Sequence, residues 1–175
     1  MKVRRIKKVL LYDEGAAERL DIEGIAEYLS ERLGKVPVEI RGNPFAFCVE
    51  ESSGYARKLA SIKIQDASMK MASKQEPLCG EIQYEKRRIL GKTRAFGVLY
   101  DGSHLQRVFL ELVAREERAL WFVHIFLTNR LFVTWEEHDK RYHARTSVYG
   151  FPSLISTMLI GKSTSHRQAL LEGLL

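Results

Sequence analysis

A βαβ signature at the N-terminus constrains this chain most. Residues 6–13 are apolar and β-branched after a basic start, and read as a strand. Asp21 then precedes Ile22, Ile25, Ala26, Leu29 and Leu33, which recur at helical spacing. Asp21 is the predicted N-cap and Gly34 the stop. A short carboxylate satisfies the first free N–H groups of a helix, and glycine tolerates the turn that ends one. Residues 36–40 form a second strand, closed by Gly42 and Asn43-Pro44. Strand, helix and strand within ~35 residues make a βαβ unit, so the strands should be parallel with a right-handed crossover.

The middle of the chain is harder to read. Residues 55–64 fit a helix or a strand, and residues 68–77, polar and rich in Met and Lys, read as a loop. The pattern sharpens again at residues 95–100, a short strand. Ser103 is the expected cap of a helix over 104–118, with Gln106 completing a capping box. Leu105, Val108, Phe109, Leu112 and Val113 form its buried stripe. Residues 121–128 are apolar on both faces and make a central strand. Residues 131–135 are extended, 136–140 turn, 141–149 return, and 153–157 resume after Gly150-Phe151-Pro152. The fold class is therefore α/β: one domain over 1–157, a mixed sheet of ~5–6 strands with flanking helices, and a C-terminal β-hairpin. Residues 158–175 read as a short tail with a weak helix.

Composition bounds the function classes. The chain has 175 residues, 45% hydrophobic and 29% charged, and carries Lys+Arg 28 against Asp+Glu 22, a net +6. This excludes a disordered chain and a disulfide scaffold. The start lacks the ~7–15-residue apolar run of a signal peptide. No stretch approaches the ~18–20 apolar residues of a membrane span. The expectation is a cytoplasmic protein with no membrane partner, in which Cys48 and Cys79 are free thiols. Basic residues cluster in the first eight positions, at Lys86, Arg87 and Arg88, and at Lys140, Arg141 and Arg145. Solvated edges and loops are the favoured reading; a phosphate-binding surface is the other.

Several motifs fail on inspection. Gly161-Lys162-Ser163 has Ser156 where a P-loop needs glycine. There is no G-x-S-x-G elbow and no H-E-x-x-H pair. Asp13 and Asp101 both follow Leu-Tyr at a strand end and precede a helix. They could share one sheet edge, where ligands favour α/β folds, or serve local turns. His124 reads as a buried core histidine, and His104 as exposed at a helix start.

The densest polar stretch is His138-Asp139-Lys140-Arg141-Tyr142-His143-Ala144-Arg145. In an extended strand Asp139, Arg141, His143 and Arg145 share a face, and His138 points away. Asp139 could hold an imidazole or a guanidinium, and Arg141 and Arg145 could grip a carboxylate or phosphate. A charged hairpin with a solvated face explains the row equally simply and is slightly favoured.

Residues 124–131, 139–145 and 149–157, above all Arg141-Tyr142-His143-Ala144-Arg145 and Gly150-Phe151-Pro152-Ser153, resemble an archaeal family of uncharacterised proteins labelled as metallopeptidases. The resemblance spans most of the chain and fades after Thr157. It implies a metal-dependent hydrolase with a zincin-like N-terminal subdomain. It also implies a shortened family member, because residues 158–175 do not resemble the family's continuation. In that reading zinc is the expected metal. His143, with His138 or Asp139, is the candidate ligand set, and a zinc-bound water the nucleophile. Asp101, Asp13 and His124 are second-tier candidates. The alternative is a non-catalytic basic module that binds an anionic partner such as nucleic acid through Arg141, Arg145 and the N-terminal cluster. The sequence leaves the substrate and oligomeric state open.

Overall fold

The computed structural model describes residues 5–15, 20–48, 50–71, 76–92 and 97–158. The βαβ expectation holds. Strand β1 (Lys8–Glu14) leads through helix α1 (Ile22–Leu33) to β2 (Val38–Arg41), and β1 and β2 pair in parallel from Val9↔Val38 to Tyr12↔Arg41. Asp21 caps α1 by accepting from the Gly24 N–H at 2.8 Å, and the Gly34 N–H closes on the Ser30 carbonyl at 2.9 Å with φ +62°.

Helix α2 (Ser52–Ala60) and strand β3 (Lys63–Ile64) divide the ambiguous region between them. Helix α3 (Cys79–Ile89) was not legible in the sequence. The Lys86-Arg87-Arg88 cluster is its last turn, where cations complement the helix dipole. It is thus not a loop or strand edge, and Arg88 is buried. Of the polar loop expected at 68–77, residues 72–75 lie outside the described residues, and the rest carry no regular element.

Helix α4 (Gly102–Leu112) follows strand β4 (Leu99–Asp101) directly. Its cap is Asp101, whose Oδ1 accepts from the His104 N–H at 2.8 Å, and not Ser103, which lies inside the helix. The helix also ends at Leu112, six residues before the expected stop. Arg118 folds back onto the freed end, donating to the Val113 carbonyl at 2.9 Å and the Glu111 carbonyl at 3.0 Å.

The strands form two sheets, not the single one expected. Strand β5 (Phe122–Thr128) runs parallel to β1 and to β9 (Ser153–Ser156), while β8 (Ser147–Val148) closes the edge: the order is β2-β1-β5-β9-β8. With both edges of β5 taken, β6 (Leu131–Glu136) cannot join it. It pairs instead with β4 and β7 (Arg141–Arg145), giving β3-β4-β6-β7. Asp13, one residue before the end of β1, and Asp101, at the end of β4, consequently lie in different sheets and do not share the edge anticipated for them. The fold class stands as α/β, with β5 central and the β6–β7 hairpin in place.

An aromatic chain joins the layers. Phe45 meets Phe109 edge-on at 5.7 Å, Phe109 meets Phe126 at 4.9 Å, and Tyr12 stacks on Phe126 at 4.1 Å. All four are buried. Such pairs add to the large area each ring removes from water. Cys48 and Cys79 are free. Among the described residues no helix is long and apolar enough to cross a membrane.

Candidate functional site

Parallel strands present their carboxyl ends together, and in α/β sheets ligands settle there. Strands β1, β2 and β5 end at Glu14, Arg41 and Thr128. Just beyond them Glu14, Gly15, Asn43 and Asn129 face Arg88, Gly91 and Lys92 from the end of α3 across a cavity of about 420 Å³.

A buried charge network meets this cavity through Glu14, Arg88 and Asn129. Arg130 is 1% exposed and stands in the short link between β5 and β6. Its Nε donates to Glu14 Oε1 at 2.9 Å, and its Nη1 donates to Glu85 Oε2 at 2.8 Å. Tyr100 Oη donates to Glu85 Oε1 at 2.6 Å and accepts from Arg88 Nη1 at 2.7 Å. Arg88 Nη2 reaches Asn129 Oδ1 at 2.8 Å. Thr128 Oγ1 donates to Glu14 and accepts from the Arg130 N–H. Burial alone would raise the Glu85 pKa, but Arg130 and Arg88 outweigh it and hold the carboxyl below its usual range. Burial raises the Tyr100 phenol well above its ordinary value, so it stays a neutral donor. Glu14 and Glu85 thus stand among three cations, Arg130, Arg88 and the buried Lys63, whose ammonium lies 3.6 Å from Glu85, and Lys92 adds a positive charge at the exposed rim.

A second polar cluster lies along β1 and β5. His124 is 1% exposed, as the core reading expected. The Glu117 carbonyl can only accept, so His124 Nε2 donates to it at 3.0 Å, and Nδ1 must accept from Tyr12 Oη at 3.1 Å. Arg41 donates to Tyr12 Oη and grips Glu117 with two bonds of 2.7 Å. Burial lowers the His124 pKa.

Arg141, His143 and Arg145 alternate along β7 and share a face as the row expects, but Asp139 does not extend it. Asp139 sits in the turn and curls back, so that its Oδ2 meets His143 Nε2 at 2.5 Å, holding an imidazole as anticipated. His138 is exposed in the same turn, and Arg141 is exposed opposite Glu136. Arg145 donates to Thr134 Oγ1 at 2.8 Å and pairs with Glu136. Asp101 caps α4, bonds the His104 ring at 2.9 Å and accepts from Tyr142 Oη at 3.3 Å. Asp13 is half-buried in β1 opposite Leu127.

Zinc sites use at least three protein ligands. Among the described residues no group of three or more His, Cys, Asp or Glu converges. His143 and Asp139 are two donors already bonded to each other, and they do not fit the metal by themselves. Glu14, Glu85, Tyr100 and Arg130 escaped sequence reasoning as site residues, and Arg88 entered it only as part of the basic cluster. The available signal was Thr128-Asn129-Arg130-Leu131, a charged residue wedged between two apolar strands.

Comparison with known proteins bears on the metallopeptidase part of the family expectation. No curated protein and no solved structure matches the chain. A family model described as "Probable metallopeptidase family (DUF6775)" matches residues 5–162, extending past Thr157, where the resemblance was expected to fade. With that match running over almost its whole length, the chain belongs to this probable metallopeptidase family.

Proposed function

We propose that the described residues serve the metallopeptidase family's chemistry by binding a peptide ligand at the carboxyl edge of β1, β2 and β5, and do not themselves form the catalytic metal centre. The carrying observation is the cavity over the Glu14–Arg130–Glu85 network. Buried ion pairs add little net stability, because desolvation offsets their attraction. Charged groups gathered under a cleft are instead what functional sites concentrate. The network fixes Arg88 and Asn129 rigidly at the cavity wall, which lowers the entropy cost of holding a ligand.

Two measurements test this. Labelled peptides of mixed sequence should bind the wild type, bind at least tenfold more weakly to Asn129→Leu, which removes the amide from the cavity wall, and bind His143→Ala unchanged. Metal content, measured by emission spectroscopy, should be the same in wild type and His143→Ala. Loss of bound zinc in His143→Ala would make the hairpin pair a ligand set and overturn the proposal.

One observation favours the second reading, a module for an anionic partner such as nucleic acid. At the opposite, amino end of the sheet Arg5, Lys7 and Lys35 surround Trp121, with the Lys7 ammonium 5.0 Å over the indole ring. Cations beside an aromatic face suit single-stranded nucleic acid. That reading requires retention on heparin that falls steeply with salt and weakens in Lys7→Glu.

A further inference from the structure

We infer that the carboxyl-edge cavity recognises an oxyanion, a carboxylate or phosphate group, through Arg88, Lys92, Asn43 and Asn129. The inference rests on the reading that this cavity is the ligand site, and adds the chemistry of what it holds.

The donor and acceptor accounts of the cavity wall are lopsided. Its side-chain acceptors are already engaged. Glu14 accepts from Arg130 and Thr128. Asn43 Oδ1 accepts from the Phe45 N–H at 2.9 Å, and Asn129 Oδ1 accepts from Arg88. The carbonyls at the end of α3 are turned inward as well: Lys86, Arg87 and Arg88 accept from Leu90, Lys92 and Gly91 at 3.1, 2.8 and 2.9 Å. Three carbonyls of this helix end are therefore engaged within the chain.

What remains is donors. With their oxygens fixed, Asn43 and Asn129 are left with Nδ2 groups to offer. Gly15 has φ +63°, and a Cβ built on it would meet Asn129 Nδ2 at 3.4 Å, so the missing side chain keeps that amide open. Arg88 is 8% exposed, yet both of its hydrogen-bond partners, Tyr100 Oη and Asn129 Oδ1, are neutral. A guanidinium carries more N–H donors than two such partners use. Lys92 contributes an exposed ammonium at the rim. A nearly buried cation hydrogen-bonded to neutral groups, beside two amide donors and a second cation, matches an oxyanion. The volume of about 420 Å³ leaves room for the molecule that carries it.

Calorimetric titration of the full chain separates the cases. The probes are acetate, inorganic phosphate, and a short peptide with neutral side chains prepared as free acid and as C-terminal amide. The expected result is that acetate or phosphate binds, and that Arg88→Gln and Lys92→Ala each weaken this at least tenfold. Lys92 is exposed, so its variant keeps the test valid if Arg88→Gln fails to fold. A peptide terminus as the source shows as acid binding at least tenfold tighter than amide. A phosphate source shows as phosphate binding tighter than acetate and acid alike. Equal binding of acid and amide, with neither small anion competing, overturns the oxyanion inference and leaves peptide binding standing. Binding of the small anions with no peptide binding keeps the oxyanion site and removes the peptide reading.

Discussion

Arg130 carries more of this molecule than any other side chain. It ties Glu14, 116 positions away, to Glu85, 45 positions away. Removing it as Arg130→Met leaves two carboxylates buried without their main counter-charge, which should cost about 3–5 kcal/mol in urea denaturation. The pH response should change as well. In the wild type Glu85 titrates below its ordinary value, so its contribution is present above about pH 4.5 and is lost as pH falls through the lowered value. In Arg130→Met the largest charge opposing burial at Glu85 is gone while Arg88 stays, so the stability that Glu85 contributes above about pH 4.5 should shrink. His124 has a simpler signature. Its lowered pKa means that the folded state binds the proton less readily than the unfolded chain. Its share of stability is complete above about pH 6.5 and declines below. In an NMR titration its ring should show a midpoint below 6.5. The sequence showed His124 as a core residue because its neighbours are apolar. The Arg130 network stayed hidden because its members lie far apart in the chain and follow no period.

The elements were legible where pattern and punctuation agreed. Asp21, one apolar helical face and Gly34 define α1 without tertiary help. The start of α4 misled because two cap residues stand close together, and only geometry shows that the strand-ending Asp101 holds the first turn. Asp101→Ala should therefore destabilise the protein by about 1 kcal/mol, and more if the Tyr142 bond counts, whereas Ser103→Ala should change little in thermal melts. Helix α3 was missed because its sequence is largely polar and charged, and its buried side includes Glu85 and Arg88, which no apolar stripe announces. Strand β5 was read correctly as central. Its centrality is measurable: Phe126→Ala removes the ring that contacts both Tyr12 and Phe109, and should cost about 3–5 kcal/mol.

At the scale of the whole molecule, splitting the strands into two sheets decides where function can sit. A continuous sheet would have run on from β5 into the hairpin and brought Asp13, Asp101 and the His138–Arg145 stretch toward one edge. Instead β5 lies between β1 and β9, its connection turns through Asn129 and Arg130, and the carboxyl edge gains a polar cavity while the hairpin stays at the rim of the second sheet. Sequence could not show this, since pairing between distant strands follows from which edges are already occupied. The charge excess is likewise resolved by position: Arg88 turns inward to the cavity wall, while Arg145 is held by Thr134 and Glu136. The most direct measurement is amide chemical-shift mapping of the labelled full chain titrated with a short peptide bearing a free carboxyl terminus. The account predicts shifts concentrated at Gly15, Asn43, Gly91, Lys92 and Asn129. Shifts concentrated instead at His138, Asp139, Arg141 and His143 would contradict it.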